Sequence, residues 1–357
     1  MEPRTIVIAT GGTAGHVVPA LSVAGVLRAE GHRVVFIGAD RAEVELVPAA
    51  GYEFHRLDVT GLSRTNPLAA LRSAGRAALA VRTAGRLLSD LSPDVVLGGG
   101  GYVAGPVGAA AVRRRIPLVL TEADSHLGLT NRLLARFATR VCLAFALDGR
   151  TGKRYVVTGR PVPPPQTDRA GSRAALGTGD DESLVLVFGG SLGARTINEA
   201  AIDGLAGGDF RVLHSSGERD HAACAERLGD PPPAGYDLRA YISPLADALA
   251  ACDLVVARSG GSVFEIAAHG RPAILVPYPH AAADHQTGNA RWMADAGAAV
   301  VLADDALTAE SLREQVDTLL GDRNRLGAMA SASAALARPD AAERIAAEVV
   351  AAAEGQR

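Results

Sequence analysis

Two stretches decide the fold: TIVIATGGTAGH at residues 5–16 and SLVLVFGGSLGAR at residues 183–195. In each, a short run of β-branched and aliphatic residues ends in paired glycines and passes into a helical pattern, so the order is strand, tight turn, helix. The first helix is expected from Val17, with Pro19 in its opening turn. Glycines let the backbone turn tightly and approach a ligand, and the N–H groups of an opening helix face it, so such a turn suits an anion. A single turn of this kind is often a plain connection. Two of them half a chain apart, each behind the first strand of a series, are harder to read that way. Neither is GxGxxG nor GxxxxGK[ST], which counts against dinucleotide enzymes and P-loop NTPases.

Working outward, apolar runs at 33–37, 94–97, 117–120, 140–143 and 155–158 alternate with helical patterns. The alternation restarts at 183, with runs at 211–214, 237–242, 254–257, 273–277 and 299–302. This predicts an α/β protein of two Rossmann-like domains, each a parallel sheet wrapped by helices, facing a cleft at their strand ends. The Pro-rich stretch RPVPPPQTDRAGS at 160–172 reads as the linker. Ser243-Pro244 predicts a helix with serine as N-cap and proline at the first helical position. The expected domains are 1–158, 159–335, and an Ala-rich helix within 336–357 packing back on the first domain.

Bulk properties set limits. At 357 residues the chain exceeds the roughly 250–300 at which one hydrophobic core stops growing. Hydrophobic residues make up 48% and aromatics only 4%, so the core is built from Ala, Val, Leu and Ile. A net charge of −3 argues against a globally basic nucleic-acid binder, and no nucleic-acid partner is expected. Cys142, Cys224 and Cys252 are odd in number, far apart and without CxxC spacing, which suggests a reducing compartment and buried thiols rather than zinc or disulfides. The N-terminus lacks the pattern of a signal peptide. The uncharged run 95–112 is interrupted by Gly98 to Gly101, Gly105, Pro106 and Gly108, so it reads as strand, loop and helix start rather than a membrane span.

Several stretches carry chemistry. His16, at a helix mouth, has a side chain whose ordinary pKa lies near working pH and could serve as a general base, although a lone histidine is more often structural. Ser191 offers a hydroxyl and Arg195 a cation at the second turn, a setting for a pyrophosphate. In RSGGSVFE at 258–265, Glu265 follows a Gly-rich helix start, where a carboxylate can accept both hydroxyls of a ribose or simply complement the helix dipole. DHQTGN at 284–289 presents amides suited to sugar hydroxyls, Gln286 and Asn289 among them. Between 62 and 90, Arg64, Arg72, Arg76, Arg82 and Arg86 face a single acid, Asp90, and are interleaved with Leu68, Leu71 and Leu79. That is either a surface for anionic lipid or a solvated helix face. Gly98 to Gly101, ahead of Tyr102, require close approach by a ligand or a packed helix. No carboxylate pair or His/Cys cluster with ligand spacing accompanies either turn, so no metal is expected.

Taken in order, GGTAGHVVPAL from Gly11, GGGGYVAGP from Gly98, GLTNRLLA from Gly128, GGSLGAR from Gly189, SGGSVFEIAAHGRPAILVPYP from Ser259 and DHQTGNA from Asp284 resemble the MurG family. These are UDP-N-acetylglucosamine transferases that convert lipid I to lipid II in peptidoglycan synthesis, and the resemblance covers almost the whole chain. It implies a GT-B fold and an inverting, metal-independent transfer of N-acetylglucosamine from UDP-GlcNAc to undecaprenyl-linked lipid I, without a cofactor. It also implies peripheral attachment at the cytoplasmic face of the cell membrane, with the anionic inner-membrane surface and other cell-wall synthesis proteins as partners. Residue by residue, it implies that Thr13, Ala14 and Gly15 meet the sugar or diphosphate, with His16 catalytic on the acceptor side. Ser191 would hold the diphosphate, the Ile242 backbone the uracil, and Glu265 the ribose within a donor loop that includes Gly260, Gly261 and Ser262. Gln286 and Asn289 would read the sugar, Gly100 and Tyr102 would lie on the acceptor side, and Arg72, Arg76 and Arg82 would lie at the membrane. Three departures stand out: TEAD at 121–124 replaces the family's HEQN, so Asp124 stands where an amide contacts the sugar, Pro163 replaces an arginine, and the loop from Ser259 to Glu265 is one residue shorter than the family's.

Three rivals keep part of this pattern: a GT-B transferase with another UDP-sugar or lipid acceptor, a UDP-sugar epimerase of the same fold, and a non-catalytic nucleotide-sugar-binding subunit. The presence of both halves and both Gly-rich turns disfavours the last.

Overall fold

The computed structural model describes residues 2–59, 67–190 and 193–355, with Ala14, Ala282 and residues 67–77 described by their backbone only. The chain divides into two compact units, 1–162 with 338–357, and 163–337. The changeovers fall a few residues beyond 158 and 335. At the first of them Gly159 still donates to the Leu143 carbonyl at 3.2 Å, which ties the start of the linker to the first unit.

The first unit holds strands β1 (Thr5–Ala9), β2 (Arg33–Gly38), β3 (Glu53–Arg56), β4 (Val95–Gly98), β5 (Leu118–Glu122), β6 (Arg140–Leu143) and β7 (Tyr155–Val157). Its helices are α1 (Ala14–Ala29), α2 (Ala42–Ala49), α3 (Pro67–Leu91), α4 (Ala104–Arg113) and α5 (Leu129–Leu134). In the second unit the strands are β8 (Leu184–Phe188), β9 (Arg211–Ser215), β10 (Tyr236–Arg239), β11 (Leu254–Ala257), β12 (Ala273–Leu275) and β13 (Ala299–Val301). The helices there are α6 (Arg169–Ala175), α7 (Arg195–Leu205), α8 (His221–Leu228), α9 (Leu245–Ala251), α10 (Val263–Ala268), α11 (His285–Asp295), α12 (Ala309–Gly321) and α13 (Arg323–Leu336). The last helix, α14 (Ala341–Glu354), belongs to the first unit and packs on α1, and Arg140 of β6 pairs with its Glu348 at 2.9 Å.

All strand pairs are parallel, in the orders β3-β2-β1-β4-β5-β6-β7 and β10-β9-β8-β11-β12-β13. Helices cover both faces of the first sheet, so its central strands bury consecutive rather than alternate residues, and Ile6, Val7, Ile8 and Ala9 are all fully buried. Ile6, Ile8, Phe36 and Leu97 pack with Val23 and Leu27 of α1 and Ile345 and Val349 of α14. Val7, Val35, Ile37, Val96 and Leu120 pack with Leu88 of α3 and Val107 and Ala111 of α4. Burying each such aliphatic side chain contributes about 1.5–3 kcal/mol. Cys142, Cys224 and Cys252 are free and buried.

Three local expectations are corrected. α1 begins at Ala14, not Val17, which places Pro19 inside the helix. Ser243 does not cap α9: Pro244 is its N-cap, in extended backbone, and Leu245 is its first residue. β10 ends at Arg239, leaving Ile242 in the following loop, yet only 7% exposed. The strand β3 is an addition, since EFHR has a single aliphatic or aromatic residue. It becomes an edge strand because β2 pairs with it, Val35 with Glu53 through Gly38 with Arg56.

In both sheets the order reverses at the first strand. β1 lies between β2 and β4, and β8 between β9 and β11. Ala9 is in register with Gly98, and Phe188 with Ala257, so the loops after these neighbouring strands leave at one level. Doubly wound sheets open a binding crevice at such a point. It holds the GGTAGH and GGGGY loops in one unit, and the GGSLGA and RSGGS loops in the other.

Candidate active site

In the first unit, a buried carboxylate shapes the turn after β1. Glu43 of α2 is fully buried and accepts from the Gly12 N–H at 3.0 Å and the Ala39 N–H at 2.9 Å. The Gly12 amide is therefore spent on the protein. The four-glycine loop after β4 crosses this turn so closely that a Cβ on Gly101 would lie 1.8 Å from the Gly11 carbonyl oxygen, and one on Gly100 would lie 2.8 Å from His16 Nδ1. Gly101 also has φ +75, a conformation that other residues rarely adopt. The close approach these glycines require is thus one loop against another. Tyr102, next along, donates to Asp40 at 3.3 Å and is half-buried.

His16 sits half-buried in the first turn of α1. Beside it is a small cavity of about 30 Å³, whose wall includes Gly99, Glu122, Cys142 and Arg160. That is room for about one or two waters. Burial, together with the Arg160 charge, lowers the His16 pKa below the ordinary histidine value, while Asp124 opposes this. The ring is therefore neutral at pH 7 and able to accept a proton. Thr13 is the N-cap of α1 without a side-chain cap bond, and Gly15 is exposed.

Glu122, at the end of β5, explains the GLTN stretch. Its carboxylate accepts from Gly128 N–H at 2.8 Å, the Asn131 side chain at 2.9 Å and Asp124 N–H at 3.3 Å. Burial pushes its pKa up, against the pull of those bonds. Asp124 is thereby held by its backbone one residue beyond the cavity-lining Ala123.

In the second unit, Ser191 and Leu192 lie outside the described residues. α7 opens at Arg195, with Ala194 as N-cap and no side-chain cap, so its first-turn amides have no capping side chain. α10 opens after Gly260, Gly261 and the N-cap Ser262, also without a side-chain cap. Glu265 lies half-buried in its first turn. Arg258 braces this loop: it bonds Asp304 at 2.6 Å, Thr196 at 2.8 Å and the Val276 and Pro277 carbonyls at 3.2 Å each.

The side-chain amides of α11 make hydrogen bonds within the second unit. Asn289 is fully buried and donates to the Ser259 carbonyl at 3.0 Å, which makes it a brace for the RSGGS loop, turned inward because that face of α11 packs on the sheet. The Gln286 side-chain oxygen accepts from Tyr278 N–H at 3.0 Å, and its carbonyl accepts from Ser259 Oγ at 2.7 Å.

Arg82 and Arg86 of α3 are exposed, as is Leu79, while Ala80, Ala84 and Leu88 are buried. The side chains of Arg72 and Arg76, and Arg64 altogether, fall outside what is described. A further group was not signalled by the sequence: Leu133 and Phe137, at and just beyond the end of α5, are 55% and 53% exposed beside exposed Arg132 and Arg136. α3 and α5 both pack on α4. Glu43, Glu122 and Arg258 were likewise missed as supports, since nothing in their local sequence names their partners. Among the described residues, no helix is long and apolar enough to cross a membrane, and no three His, Cys, Asp or Glu residues are grouped so as to hold a metal ion.

Two switch-point crevices, each ringed by Gly-rich loops with uncapped helix starts, define a nucleotide-sugar transferase architecture, and comparison with known proteins agrees. The glycosyltransferase family 28 N-terminal domain matches residues 6–143, and the family 28 C-terminal domain matches residues 184–345. The crystal structure of Acinetobacter baumannii MurG superposes with a TM-score of 0.79 at 31% identity, covering 98% of this chain and 100% of that one. A protein of Halorhodospira halophila named UDP-N-acetylglucosamine–N-acetylmuramyl-(pentapeptide) pyrophosphoryl-undecaprenol N-acetylglucosamine transferase is 42% identical, over 97% of this chain and 98% of its own. The chain belongs to glycosyltransferase family 28 and, within it, to the MurG family, with the GT-B fold. A UDP-GlcNAc 2-epimerase from Neisseria meningitidis, solved with UDP-GlcNAc bound, reaches a TM-score of 0.67 at 13% identity, covering 97% of this chain and 100% of that one. That is a likeness of fold alone.

Proposed function

We propose that this chain transfers N-acetylglucosamine from UDP-GlcNAc to the N-acetylmuramyl-pentapeptide pyrophosphoryl lipid, lipid I, with inversion and without a metal. The observation that carries this reading is the end-to-end 42% identity to a transferase of that name, with both units matched. The geometry supplies the chemistry. Neutral His16 takes the proton of the acceptor hydroxyl as its oxygen attacks the anomeric carbon. The bond to the UDP oxygen breaks on the opposite face, which inverts the centre. Negative charge then gathers on the departing β-phosphate, where helix-start amides such as those of α7 and α10 stabilise it without a cation. Glu265 accepts from the ribose hydroxyls. Asp124, a carboxylate in place of an amide, acts on His16.

The enzyme works at the cytoplasmic face of the membrane as a peripheral protein. The exposed arginines and apolar side chains of α3 and the end of α5 support this, since cations attract anionic headgroups and Leu79, Leu133 and Phe137 can insert among them.

The test is a transfer assay that pairs UDP-GlcNAc, UDP-GalNAc and UDP-glucose with a short-chain lipid I analogue, with diacylglycerol, and with no acceptor. Product is expected only from UDP-GlcNAc with the lipid I analogue. Transfer to diacylglycerol instead, or turnover of UDP-GlcNAc without acceptor, would replace this reading with another transferase or an epimerase.

A further inference from the structure

Pro19 stands four residues after Gly15 inside α1 and has no N–H, so the Gly15 carbonyl lacks the donor that an α-helix normally supplies. Arg160 supplies one instead. From the segment after β7, its Nη2 donates to the Gly15 oxygen at 2.7 Å. The bonded carbonyl belongs to the residue immediately before His16, and Gly15, His16, Pro19 and Arg160 all line the same cavity. On its other side the imidazole lies so close to Gly100 that no Cβ fits there. The ring is confined between the four-glycine loop and a helix turn whose Gly15 carbonyl is held by one guanidinium.

We propose that Arg160 is a positioning residue for His16: by bonding the carbonyl that Pro19 leaves without an amide donor, it fixes the first turn of α1 and so the direction of the imidazole. This rests on the reading of His16 as the base. It also explains why a proline is tolerated in the helix interior, since the orphaned carbonyl is satisfied from outside the helix.

Arg160 has a second, electrostatic effect that can be separated from the first. The groups around His16 are Arg160, Glu122 at the end of β5 and Asp124 beyond it, Glu43 of α2 bound to the Gly12 amide, and the Cys142 thiol of β6, which burial pushes up to about 12. Of these, Arg160 lowers the His16 pKa and Asp124 raises it. Removing Arg160 therefore moves the His16 titration to higher pH.

The two effects call for a double-mutant cycle on the full chain, with kcat, KM and pH profiles measured on UDP-GlcNAc and the lipid I analogue. Arg160→Ala is expected to lower kcat roughly tenfold or more, with KM for UDP-GlcNAc changed less than about twofold, and to move the acid limb to higher pH. Pro19→Ala restores an amide donor to the Gly15 carbonyl. In that background the kcat loss from Arg160→Ala is expected to shrink to about threefold or less, while the shift of the acid limb persists. Arg160→Lys should keep the acid limb in place. An equal kcat loss in both backgrounds, or an acid limb that Arg160→Ala does not move, overturns the proposal. If Arg160→Ala does not fold, Arg160→Gln runs the same cycle. His16→Gln distinguishes the two layers: if it retains near wild-type kcat, the base assignment fails, whereas an inactive His16→Gln with no Arg160–Pro19 coupling removes the positioning role alone.

Discussion

Asp124 stands where the family resemblance implies an amide, and its carboxylate raises the His16 pKa while burial and Arg160 lower it. Asp124→Asn removes the raising influence, so the His16 pKa falls further and the acid limb of the kcat/KM profile is expected to move to lower pH. A limb that moves up or stays in place would show that His16 is not the group titrating, or that Asp124 does not act on it. Glu265, half-buried at the start of α10, is the counterpart on the donor side. Glu265→Ala is expected to weaken UDP binding by about 1–3 kcal/mol through loss of charge-assisted hydrogen bonds, with the fold retained. Titration calorimetry with UDP is the measurement, and unchanged affinity in a folded variant would remove the ribose assignment.

Between elements, a buried polar network joins β9 to β10 and α7. His214 on β9 is fully buried, with Nδ1 2.9 Å from the Tyr236 hydroxyl of β10 and Nε2 3.1 Å from Asn198 Oδ1 of α7. The amide oxygen can only accept, so the network assigns the proton to Nε2 and leaves Nδ1 to accept from the tyrosine. Burial lowers the His214 pKa to about 4. As pH falls below about 6.5, the unfolded chain takes up a proton that the folded chain refuses, so stability is lost between about 6.5 and 4 and is unaffected above that window. The loss is on the order of 3 kcal/mol. Urea midpoints at pH 7.5 and 4.5 should differ less for His214→Gln than for the wild type, and equal differences would refute the assignment.

For the molecule as a whole, the balance of charge decides two expectations. On the proposed mechanism backbone amides meet the leaving charge, so transfer activity should persist in excess EDTA, and a requirement restored by magnesium or manganese would overturn that account. A chain of net charge −3 reaches an anionic membrane only through a local cluster, and each engaged cation is worth about 1 kcal/mol near such a surface. Wild type should therefore co-sediment with anionic vesicles at low salt and release at high salt, and Arg72→Glu/Arg76→Glu/Arg82→Glu should bind much less. Equal binding to neutral vesicles, or by the triple variant, would place the contact elsewhere. Much of this was legible along the chain. The two strand-and-helix series and both Gly-rich turns follow from apolar periodicity and turn chemistry, which are local properties, and so does the change of unit near the Pro-rich stretch. The tertiary structure alone decided that Gly100 and Gly101 serve one loop crossing another and that Glu43 holds the first turn. It also decided that Asn289 turns inward and that Pro19 is matched by an arginine 145 positions from the carbonyl it frees. The physical reason is that the local pattern gives each residue its period and its face, whereas a hydrogen-bond partner or a steric neighbour is fixed only when distant segments pack together.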